Sequence, residues 1–171
     1  MLFRSPVRAL CTFNTRHGDA WLASVGDEGA IRIWDPDVGR PIGRPLKGPS
    51  CPMTCVVAFS AANGEPRLVT TGDDCIVRVW DPGNGRQLGR LSNGEENLCD
   101  VVLVGTNREG RTRLVTSGLD RSIRFWDIAT GRMTYAMHAL DYAETIVSFR
   151  HGDLAVSLDD GWALLRLPPE V

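Results

Sequence analysis

The chain has 171 residues, 43% of them hydrophobic, and a formal charge of −2. That length and apolar content suit one well-buried domain, and the near-neutral charge gives no electrostatic basis for binding nucleic acid through counterion release. No apolar stretch approaches the roughly 18 residues of a membrane span, and residues 1–10 lack the continuous apolar run of a signal peptide.

The basic residues are almost all arginine, with Lys47 the single lysine. This skew points to a GC-rich coding genome, hence a high-GC bacterium, rather than to selection for phosphate recognition. Five cysteines (Cys11, Cys51, Cys55, Cys75 and Cys99) form an odd set without CxxC spacing. They predict reduced, buried thiols in a cytoplasm, and neither a disulfide framework nor a zinc site.

Taken in order, the chain opens on an apolar strand at residues 7–11, passes an RHGD loop, and reaches LASVGDEGAIRIWD from Leu22, which reads as two strands about a tight turn. A second strand run, Met53 to Phe59, leads to LVTTGDDCIVRVWD from Leu68. A third leads to LVTSGLDRSIRFWD from Leu114. The pitch is 68 − 22 = 46 and 114 − 68 = 46. Gly18, Gly64 and Gly110 precede these segments and Gly39–Arg40, Gly85–Arg86 and Gly131–Arg132 follow, each introducing a fourth strand. A period of this length marks a repeat architecture, with units at about 5–48, 50–94 and 96–138.

In the first strand of each unit the positions Val7/Met53/Cys99, Ala9/Cys55/Val101 and Cys11/Val57/Leu103 are apolar, and so are the intervening Leu10/Val56/Val102. Both faces are therefore expected to be buried, as in a small sheet sandwiched between two others. In the third strand Ile31, Ile33 and their equivalents point one way. Arg32, Arg78 and Arg124 point the other, toward a partly solvated face.

With Trp34–Asp35, Trp80–Asp81 and Trp126–Asp127 closing the repeats, the chain resembles the WD40 repeat family over nearly its whole length. The resemblance implies an all-β propeller of four-stranded antiparallel blades. It also implies a buried hydrogen-bonded set in each blade, joining the Trp, a Ser or Thr of the second strand, a turn Asp and a His before the first strand. Ser24, Thr70 and Thr116 match the hydroxyl and Asp74 and Asp120 the acid, both expected to be buried. Glu28 replaces the acid in the first blade and no Gly-His precedes any first strand, KGPSC and SNGEE standing there instead, so looser blades are expected.

A degenerate fourth unit, about 142–168, contains LAVSLDDGWALLRL from Leu154, aligned so that Asp160 keeps the turn acid and Arg166 stands at the Trp position. Pro168 and Pro169 stop a fourth strand, which leaves an incomplete ring of just under four blades. Such a ring exposes an apolar face at each end, so the chain is expected either to be a fragment of a longer propeller or to self-associate to complete one.

Gly83, Gly85 and Gly89 miss the dinucleotide spacing and no helix follows them, so they read as turn glycines. His17 and His151, both in RHGD loops, read as a shared turn solution rather than catalytic or metal groups. No catalytic residue, metal or cofactor is assigned, and the chain is read as no enzyme. The resemblance implies a protein-interaction module or scaffold with a protein partner and no nucleic-acid or membrane partner.

Two other classes stand beside it. One is a regulatory or sensor segment of a larger bacterial signalling protein. The other is a propeller enzyme with a central-channel site, for which Arg8 and Asp100 are the ionisable residues in place. In a WD40-like blade the loops entering the first strand share one rim with the turns joining the second and third strands. On that rim fall Asp27, Asp73, Glu95, Glu96, Asp141, Glu144 and Asp159, the candidate surface for a cationic segment of a partner. Arg16, Arg40, Arg67, Arg86, Arg108, Arg111 and Arg132 fall on the opposite rim.

Overall fold

A computed structural model describes residues 5–91, 102–106, 112–118, 120–139, 145–148, 154–158 and 161–165. Among these the regular structure is entirely strand. Blade 1 holds β1 (Val7–Asn14), β2 (Ala20–Gly26), β3 (Ala30–Asp35) and an outer edge in two short pieces, β4 (Arg40–Pro41) and β5 (Leu46–Lys47), both paired with β3. Blade 2 holds β6 (Met53–Ser60), β7 (Pro66–Gly72), β8 (Val77–Asp81) and β9 (Arg86–Leu91) in that order. Blade 3 holds β10 (Val102–Thr106), β11 (Thr112–Ser117), β12 (Ser122–Asp127) and β13 (Arg132–His138), and blade 4 holds β14 (Thr145–Ser148), β15 (Leu154–Leu158) and β16 (Gly161–Leu165). All the pairings are antiparallel. The chain divides into two compact units, Met1–Arg90 and Leu91–Val171.

Side chains alternate across each sheet, so every blade has two faces. In blade 1 the front face carries Phe13, Ala23, Val25, Ile31 and Ile33, which pack on Met53, Val56, Leu68 and Trp80 from the back face of blade 2. In blade 3 the front face carries Val115, Ile123 and Phe125, packed on Ile146, Leu154 and Val156 of blade 4. The same front-to-back contact therefore joins the two blades of each unit.

The expectation that the first strand is buried on both faces fails in blade 1. Leu10 is 58% exposed whereas its repeat equivalent Val56 is 3% exposed. The sequence position is the same, but blade 1 covers Val56 on the back of blade 2, whereas within the first unit no described blade covers Leu10.

Blade 4 corrects the alignment. Leu154 pairs with Leu165, and Leu158 with Gly161, as Leu114 pairs with Trp126 in blade 3. The β15–β16 connection is one residue shorter than its counterparts, so Leu165, not Arg166, occupies the Trp position. Arg166 and the expected turn acid Asp160 lie outside the described residues.

Two backbone features set up the rim. A register shift between Val7 and Ala9, repeated between Met53 and Cys55, gives the first strands of blades 1 and 2 an extra residue near the start, Arg8 and Thr54. At the end of the second strand the chain passes so close to the first that a Cβ on Gly26 or Gly72 would stand 2.0 or 2.4 Å from the carbonyl oxygen of Pro6 or Pro52. Those carbonyls accept from Asp27 N at 3.2 Å and Asp73 N at 3.0 Å.

Candidate interaction rim and the residues that hold it

The hydroxyl and Trp positions meet in three blades. The indole N–H of Trp34 donates to Ser24 Oγ at 2.8 Å, that of Trp80 to Thr70 Oγ1 at 2.9 Å, and that of Trp126 to Thr116 Oγ1 at 2.9 Å. Each bond crosses from the third strand to the second. It satisfies a donor that burial would otherwise leave without a partner, and Trp80 and Trp126 are both buried while Trp34 is half-buried.

The turn acids do something the sequence reading did not assign. Asp74 receives a two-pronged bond from Arg78, at 3.0 Å to Oδ1 and 2.6 Å to Oδ2. Asp120 is held likewise by Arg124 and also accepts from the Ser122 backbone at 3.0 Å. Glu28 pairs with Arg32 across the same four-residue interval. The longer Glu thus makes the ion pair that Asp makes elsewhere, and in this respect the first blade departs less from the repeat than its residue type suggests. The third-strand arginines expected at a partly solvated face are clamps on the tight turn, and Arg124 is buried. Asp74 and Asp120 are half-buried rather than buried, and Glu28 is exposed.

Electrostatics follow from this pairing. Burial would push the Asp74 carboxyl up, but the Arg78 guanidinium outweighs it and holds the group below the usual carboxylate range. At Asp120 burial is likewise outweighed, by Arg124 and Ser122, and the carboxyl is held down at about 2. Burial pushes up the Cys51 thiol, which stands in the KGPSC segment where the family's Gly-His is expected and feels the charges of Asp74 and Arg78. A positional signal was available here: an Arg two residues before each Trp and four after each turn acid, in all three repeats.

The repeat aspartates after each Trp organise the next turn. Asp35 Oδ1 accepts from the Asp37 backbone at 2.9 Å, Asp81 Oδ1 from Gly83 at 2.9 Å, and Asp127 Oδ1 from Thr130 at 2.9 Å. The turns end at Gly39, Gly85 and Gly131, with φ of 63°, 74° and 70°, where L side chains are strained.

Of the candidate rim acids, Asp27 and Asp73 fall on described residues; Glu95, Glu96, Asp141, Glu144 and Asp159 lie outside them. Asp27 is ion-paired with Arg8, the extra residue of β1. Arg8 feels Asp73 as well, and its pKa is raised by the hydrogen bond and charge of Asp27 with a smaller contribution from Asp73. In the first unit this end of the blades therefore carries two acids around one arginine rather than acids alone, and Asp73 is exposed. On the opposite end Arg16 pairs with Glu65 at 3.0 Å, linking the first hairpin loops of blades 1 and 2. Arg67 is half-buried beside Asp81, so it is not an open rim charge. Arg40, Arg86 and Arg132 are exposed; Arg108 and Arg111 lie outside the described residues, as do Asp100 and His151.

Residues 39–81 match the family model described as WD40: WD domain, G-beta repeat. The match runs from the last strand of blade 1 through the third strand of blade 2, so the sequence repeat and the blade are offset. No curated protein matches the chain. Among solved structures the computationally designed Ika4 protein aligns at TM-score 0.75 with 21% identity, over 97% of this chain and 94% of that one. The WD40 β-propeller domain of Doa1 aligns at TM-score 0.74 with 15% identity, over 95% of this chain and 51% of that one. The computationally designed Ika8 protein aligns at TM-score 0.74 with 22% identity, over 96% of this chain and 47% of that one.

Proposed function

We propose that this chain, which carries a WD40 repeat and folds as WD40-type propeller blades, is a protein-interaction module that takes a cationic segment of its partner on the rim bearing Asp27 and Asp73. The observation that carries the reading is the contrast among acids of that rim. Glu28 and Asp74 are spent on Arg32 and Arg78, holding the turns, while Asp73 stands exposed on a backbone fixed by the Pro52 carbonyl. An exposed charge on a rigid turn steers an oppositely charged partner and costs little ordering entropy on binding. The fold by itself names no partner, so the rim chemistry supplies the class. We place the module in the cytoplasm, in keeping with an odd number of cysteines.

The test uses a fluorescently labelled arginine-rich peptide titrated with the full chain. Binding should weaken as salt rises, because the contact is between exposed charges. Asp73→Lys should weaken it severalfold and Arg86→Glu should leave it unchanged. The reverse pattern would move the site to the opposite rim.

A further inference from the structure

The back face of blade 1 is a copy of a surface that is already occupied elsewhere in the chain. Its residues Leu10, Leu22, Ser24, Arg32 and Trp34 stand 46 positions before Val56, Leu68, Thr70, Arg78 and Trp80. In blade 2 that set is covered by the front face of blade 1, and Val56, Leu68 and Trp80 are buried with it in one core. In blade 1 the same set is less covered: Leu10 is 58% exposed, Leu22, Arg32 and Trp34 are half-buried, and Ser24, which accepts the Trp34 indole N–H, is buried.

The complementary surface is present at the other end of the sequence. With the register corrected, Trp162 and Leu164 of blade 4 occupy the positions of Ile123 and Phe125 in blade 3. Those two are 1% exposed because blade 4 covers them. Trp162 is 76% exposed and Leu164 53% exposed. Among the described residues, exposed apolar side chains therefore stand on the back face of blade 1 and on the front face of blade 4, and the blade contact within each unit joins a front to a back. Apolar patches of this kind mark interaction surfaces.

We propose that the occupant of each open face is a second copy of this chain, with the Trp162 and Leu164 face of one copy stacked on the Leu10 and Trp34 face of the other. The contact is heterologous, continuing the front-to-back packing found within each unit. It rests on blade packing and is independent of the charged rim, so either reading can fail alone.

The experiment is the solution mass of the full chain by sedimentation equilibrium across a dilution series, against a monomer mass of 18.8 kDa. The wild type should associate, and Leu10→Glu and Trp162→Glu should each reduce the mass to that of a monomer. Both side chains are already exposed, so far-UV circular dichroism should show the fold retained. Mixing the two variants should restore a species of two chains, because one copy contributes an intact back face and the other an intact front face. A monomeric wild type, single variants that remain associated, or a mixture that stays monomeric would each overturn the proposal. Single variants that remain associated would mean that like faces pair with like.

Discussion

Trp80 and Thr70 lie on the same face of β8 and β7, two residues out of direct register, and the 2.9 Å bond between indole and hydroxyl is buried on the back face of blade 2. Thr70 is itself 1% exposed, so water cannot replace it as the indole's acceptor. Trp80 thereby fills the contact between blades 1 and 2 and ties the third strand of its own blade to the second.

Thr70→Val should cost about 1–3 kcal/mol, the usual penalty for a buried donor left without a partner. Trp80→Ala should cost about 3–5 kcal/mol, as for other buried aromatics. In a Trp80→Phe background the Thr70→Val change should cost less, since no indole N–H remains to be orphaned. Urea unfolding of the four proteins measures the coupling, and additive losses would show that the bond contributes nothing beyond packing.

Two glycines should respond to alanine with opposite signs. At Gly72 the added Cβ meets the Pro52 carbonyl oxygen at 2.4 Å, a backbone atom held by its bond to Asp73 N, so Gly72→Ala should destabilise by about 1–3 kcal/mol through overpacking. At Gly89 nothing lies within 4 Å. There Gly89→Ala should stabilise by about 0.5–1 kcal/mol, because glycine inside a strand loses more chain entropy on folding. Thermal melts of the two variants separate the cases, and a shift in the same direction for both would contradict the close approach at Gly72.

Acid should loosen the Arg–Asp clamps in a defined window. Asp120 is held at about 2 in the folded chain, against an unfolded value of about 3.9. A depressed carboxyl contributes its full stabilisation above the unfolded value, and that contribution drains away as pH falls through the folded one. The loss should therefore run from about pH 4 to about pH 2, with Asp74 adding to it in the same direction. Asp120→Asn should be less stable at neutral pH and show a shallower decline across that window. Equal slopes for the variant and the wild type, followed by chemical denaturation at several pH values, would show that the clamp does not carry the acid sensitivity.

What the sequence determined by itself is what repeats. A pitch of 46 residues, three Trp–Asp dipeptides and a hydroxyl ten residues before each Trp give strand order, blade type and the Trp–hydroxyl bonds, since strand pairing within a hairpin depends on residues close along the chain. The partner of the turn acid was equally local, but alternation along the third strand gives only the face of Arg32, Arg78 and Arg124 and not the carboxylate that each one meets.

Tertiary structure alone decided three other matters. Leu10 and Val56 are equivalent in the repeat, and only the presence or absence of a covering blade makes one exposed and the other buried. Asp27 and Asp73 sit around Arg8 because a bulge in β1 turns that side chain toward the tight turn, which no spacing rule announces. In blade 4 the run Trp162, Ala163, Leu164, Leu165 is apolar at every position, so alternation cannot choose the register. The shortened hairpin chose it, pairing Leu165 with Leu154 and leaving Trp162 and Leu164 exposed.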